Sequence, residues 1–141
     1  MMGPRGVDAY RRTVATSSSP LELVVRLYDG AIAFVLEARE AIVKRDVHAR
    51  TKAVSRAMAI IAELQNTLNV EQGGDVANEL DRLYTYMSTR LLDVTGRADD
   101  EAAAEVHKLL STLREGWSQI AAAHPPTQPQ TQPPAPSLTT R

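Results

Sequence analysis

Apolar residues at alternating steps of three and four, repeated in four successive segments, commit this chain to packed amphipathic helices. The first run is Leu21, Val24, Tyr28, Ala31, Val35, Ala38 and Ile42. Ahead of it Ser19 can cap, Pro20 takes the first helical position, and Glu22 stands three after the serine as in a capping box. A second run, Val54, Ala57, Ile61, Leu64 and Leu68, follows closely, with Asp46 as its cap. Paired Gly73-Gly74 break the pattern, and Asp75 opens a third run through Val76, Leu80, Leu83, Met87, Leu91 and Val94, with Gly96 read as its stop. The fourth run begins near Asp99 or Asp100 and places Ala102, Val106, Leu109, Leu113, Trp117 and Ile120 on one face. It must end by His124, because Pro125-Pro126 follow.

Four helices of similar length joined by short connections pack most simply as an antiparallel up-down four-helix bundle, so the predicted fold class is all-α. The chain's 141 residues suit a single core. Three parts are predicted: an N-terminal arm over residues 1–18, the bundle over 19–124, and a disordered C-terminal tail over 125–141. The tail holds six of the eight prolines among Gln, Thr and Ser, a composition that buries little apolar surface. The arm carries Val7, Tyr10 and Val14, too few apolar residues for an independent helix, so it needs a surface to lie on.

Composition narrows the function. With 16 basic and 17 acidic residues in mixed sign there is no basic patch for phosphates, and nucleic acid is not an expected ligand. Cysteine is absent, which removes thiolate chemistry. The N-terminus develops no apolar core of a secretory signal, and no stretch approaches the roughly 20 apolar residues that cross a bilayer. The cytosol, without stable membrane insertion, is the expected location. Three residues before His48, His107 and His124 stand Arg45, Ala104 and Ala121, so the Glu-x-x-His pairs of a di-iron bundle are missing. The histidines read as solvated side chains, Gly73-Gly74 as a turn, and Ser17-Ser18-Ser19 as capping sequence. No catalytic, cofactor or metal residues are expected, which makes binding the better class of function.

The first segment is apolar beyond its core stripe. Leu23, Leu27 and Phe34 lie on one flank and Val25, Ile32 and Leu36 on the other, an arc of roughly 220° and about twice the minimum stripe of a surface helix. Gly30 shares the first flank in mid-helix, at a cost of about 1 kcal/mol relative to alanine. Three arrangements satisfy this pattern: an unusually enclosed helix, an open helix-in-groove site, or a groove covered by the arm through Tyr10. Asp29 points away from the stripe, toward a basic partner or solvent.

These residues resemble the FliS family of flagellin chaperones over about residues 8 to 120. Ala9-Tyr10 leads into Thr16-Ser17-Ser18-Ser19-Pro20, similar to the family's Thr-Ala-Ser-Pro start of the first helix. Leu27-Tyr28-Asp29-Gly30-Ala31-Ile32 is similar to its most distinctive motif. Leu64, Leu68, Gly73-Gly74 and Asn78-x-Leu80-x-x-Leu83-Tyr84-x-Tyr86-Met87 follow in the family's order, as does Leu113-Arg114-Glu115-Gly116-Trp117. Ser17-Ser18 and Arg26 depart from the pattern. The resemblance implies a type III export chaperone that binds the disordered C-terminal region of flagellin, prevents premature polymerisation and meets the flagellar export gate while carrying it. Tyr10, Leu23, Leu27, Asp29, Gly30 and Phe34 are the expected partner-binding residues; self-association to a homodimer stays open.

Overall fold

A computed structural model of the chain describes residues 19–123. They form four helices: α1 Pro20–Lys44, α2 Val47–Asn66, α3 Val70–Arg97 and α4 Asp100–Ala123, with no strand among the described residues. The caps follow the sequence. The Ser19 hydroxyl accepts from the Glu22 amide at 3.2 Å, and the Asp46 carboxylate accepts from the Ala49 amide at 2.9 Å. At α4 it is Asp99 that caps, accepting from the Ala102 amide at 3.1 Å.

The helices pack as a ring in which α1 touches α2 and α4, and α3 touches the same two. Polar cross-links show that neighbours run antiparallel. Asp29, early in α1, pairs with Arg114 late in α4, whereas Arg39, late in α1, forks onto Asp100 at the start of α4. Arg50 of α2 reaches the Thr95 carbonyl at the far end of α3, and Arg90 and Tyr86 converge on Glu105 of α4.

Most of the expected stripes form the core. Tyr28, Ala31, Val35 and Ala38 of α1, Val54, Ala57, Ile61 and Leu64 of α2, and Met87, Leu91 and Val94 of α3 are buried together with Ala102 and Val106 of α4. Two expected core positions are not enclosed: Val76 is 67% exposed and Ile120 45%. In α4 the buried residues are Ala102, Ala103, Val106, Leu110 and Ala121.

Two helix boundaries differ from expectation. α3 begins at Val70, a turn before Asp75, and is interrupted at Gly74, whose φ of 56° and ψ of −128° suit glycine alone. The glycine pair therefore bends the helix rather than preceding it. At the other end the left-handed residue is Ala98 (φ 53°), two beyond Gly96, and its amide donates to the Val94 carbonyl at 2.9 Å. An L-residue is strained there, so Ala98→Gly should stabilise the bundle by roughly 0.5–1 kcal/mol in urea unfolding.

The Arg39 guanidinium holds the Asp100 carboxyl below the usual aspartate range, chiefly by hydrogen bonding. That contribution is present above the unfolded pKa of about 3.9 and is lost as pH falls through the lower folded value. Both side chains are more than a third exposed, 35% and 47%, so screening keeps the pair below about 1 kcal/mol. Asp100→Asn should accordingly narrow the stability gap between pH 7 and acid by no more than that, measured by unfolding at both pH values.

Candidate partner-binding groove

At the end of the bundle where α1 and α3 begin and α2 and α4 finish, the helices do not close completely. They leave a cavity of about 540 Å³. From α1 come Pro20, Leu21, Leu23 and Val24, which the Ser19 cap and Pro20 fix at the helix start. From the end of α2 come Leu64 and Leu68, with Thr67 spending its hydroxyl on the Leu64 carbonyl at 2.7 Å.

The bend in α3 shapes the third wall. Gly73, Val76, Ala77 and Leu80 border the space, and a Cβ added to Gly73 would lie 2.8 Å from that of Ala77, so the turn before the bend packs against α3 only because that position is glycine. Val76 faces the opening. Tyr84 and Trp117 line the groove as well.

Behind that floor the Tyr28 and Tyr84 hydroxyls meet at 2.5 Å, joining α1 to α3 across the diagonal of the bundle, with ring centroids 6.5 Å apart. Burial pushes both phenols above their ordinary range; at Tyr28 the hydrogen bond shared with Tyr84 and the Trp117 indole temper the rise. Both hydroxyls are neutral donors at physiological pH.

The residues expected at the partner surface are distributed as follows. Leu23 lines the groove. Leu27 is wholly enclosed at 0% exposure, in the core between α1 and its neighbours. Phe34 is half-buried, with the Arg56 guanidinium of α2 5.8 Å from its ring centroid, and Gly30 is half-buried in regular helix. Asp29 has an internal basic partner, Arg114, whose Nε donates to it at 2.6 Å. Tyr10 and the rest of segment 1–18 lie outside the described residues, as does the tail.

The wide apolar arc of α1 thus has a largely structural explanation. One flank faces α2, where Phe34 meets Arg56, and the other side carries the Asp29 and Arg39 bridges to α4. The apolar flanks of α1 give no sign of Leu68, Val76, Leu80 and Trp117, which also line the groove. The available signal was Gly73-Gly74 set between apolar residues. Among the described residues no group of three or more His, Cys, Asp or Glu could hold a metal, and no helix is long and apolar enough to cross a membrane.

The described residues form an all-α helical bundle with an apolar groove at one end. The sequence profile of the family described as flagellar protein FliS matches residues 4–124. The flagellar secretion chaperone FliS of Salmonella typhimurium is 39% identical over 121 residues, covering 82% of this chain and 90% of that protein. Its counterpart in Campylobacter jejuni is 36% identical, covering 80% and 88%, and that of Bacillus subtilis 30% identical, covering 79% and 82%. The chain belongs to the FliS family of flagellar secretion chaperones, a family of chaperones and not of enzymes.

Proposed function

We propose that the protein, in the cytosol, binds the disordered C-terminal region of flagellin, keeps it from polymerising prematurely and delivers it to the flagellar export apparatus. The observation that carries this reading is the apolar groove between the helix ends, of about 540 Å³ and with Val76 67% exposed at its mouth. Its shape and lining suit an amphipathic helix that lays apolar side chains against it. Each large apolar side chain covered completely contributes about 1.5–3 kcal/mol, against which stands the cost of ordering the segment. The occupied groove hides apolar surface that flagellin subunits need for contacts with one another.

Calorimetry with the C-terminal segment of the cognate flagellin tests this. One-to-one binding with a negative heat-capacity change is expected, the mark of buried apolar surface. Absence of binding at micromolar concentrations contradicts the proposal.

A further inference from the structure

The chain itself supplies an occupant for the groove. α4 ends at Ala123, at the same end of the bundle where the groove opens, and residues 124–141 continue from there outside the described residues. Trp117, half-buried in the groove lining, stands fewer than two turns before Ala123, about 9 Å along the helix axis. Pro125-Pro126 cannot extend that helix. The sequence beyond them carries no charged side chain from Pro125 to Thr140, and its prolines form two Pro-x-x-Pro repeats, Pro126 with Pro129 and Pro133 with Pro136. A polyproline II helix has three residues per turn, so each pair shares one face, and such preformed ridges dock in apolar grooves lined by aromatic rings. Residues 1–18 lead to the groove from the α1 side, but they carry Arg5, Asp8, Arg11 and Arg12, whose charges the apolar lining would desolvate.

We propose that in the free protein the proline-rich segment 125–141 folds back into the groove against Trp117 and competes with flagellin for it. The inference rests on the docking reading above and adds a regulator of the same site. Extended as polyproline II, the segment reaches about 50 Å, several times the distance back to Trp117. A segment tethered this closely acts at an effective concentration on the order of 1 mM, so a contact with a Kd of about 1 mM fills the groove half the time. Half occupancy leaves the groove open to flagellin and weakens its apparent affinity about twofold.

The test keeps the full chain and its length, and combines Pro126→Gly, Pro129→Gly, Pro133→Gly and Pro136→Gly to remove both ridges without adding charge. Melting should be unchanged, because all four positions lie outside the bundle. Acrylamide quenching of Trp117 in the free variant should rise by up to about twofold, and a synthetic peptide of residues 125–141 at millimolar concentration should restore the protection. Calorimetry with the flagellin C-terminal segment should give a Kd at least about twofold lower for the variant. Equal quenching in the two chains overturns the inference, as does an equal flagellin Kd. Protection that is lost on dilution of the unsubstituted protein assigns the groove to a second copy, and protection lost in Tyr10→Asp but kept in the glycine variant assigns it to residues 1–18; either overturns the tail. If neither chain binds flagellin the docking reading fails, and the quenching comparison alone still upholds or overturns the tail's place in the groove.

Discussion

Leu27→Asp should unfold the bundle, not merely weaken its binding. Leu27 is wholly enclosed and belongs to the same core cluster as Ala31, Val54 and Ile61. Truncating such a leucine to alanine costs about 2–5 kcal/mol through lost transfer energy and the cavity left behind. A carboxylate in the same place adds the cost of an unpaired buried charge. The sum rivals the 5–15 kcal/mol that is typical of a whole domain. Circular dichroism should show lost helix or a collapsed melting transition. A variant that keeps the native melting curve would place Leu27 at an accessible surface.

Val76→Asp has the opposite profile. Its side chain is 67% exposed and borders the groove without belonging to the core. A carboxylate just after the bend, near the start of the regular part of α3, should change stability by no more than about 0.5 kcal/mol. Once an apolar segment covers it, however, the charge is desolvated without a partner. Binding of the flagellin segment should fall by on the order of 2 kcal/mol, about 30-fold. Normal melting with unchanged affinity would remove this wall from the interface.

The contrast between these two residues shows what the sequence could and could not convey. Helix starts were legible because a cap is local: Ser19 and Asp46 sit within three residues of the amides they satisfy. The end of α3 was not, since the left-handed position fell on Ala98, which carries no such signal, instead of Gly96. Periodicity showed that α1 was apolar over a wide arc, but nothing local separates a face that binds a partner from one buried by two neighbours. Asp29 illustrates the same limit, because its partner Arg114 lies 85 residues away. The groove draws its walls from the ends of all four helices, so it exists only once α1 to α4 are in register.

Trp117, the chain's single tryptophan, lines that groove and makes the most direct test possible. Titrating the full chain with a tryptophan-free flagellin C-terminal segment, and following emission and acrylamide quenching, reads the groove itself. Docking there predicts a blue shift and a loss of quenching that saturate at one equivalent, as the segment excludes water from the indole. Binding seen by calorimetry with Trp117 emission and quenching unchanged would mean that flagellin docks elsewhere on the bundle, contradicting the assignment of this groove.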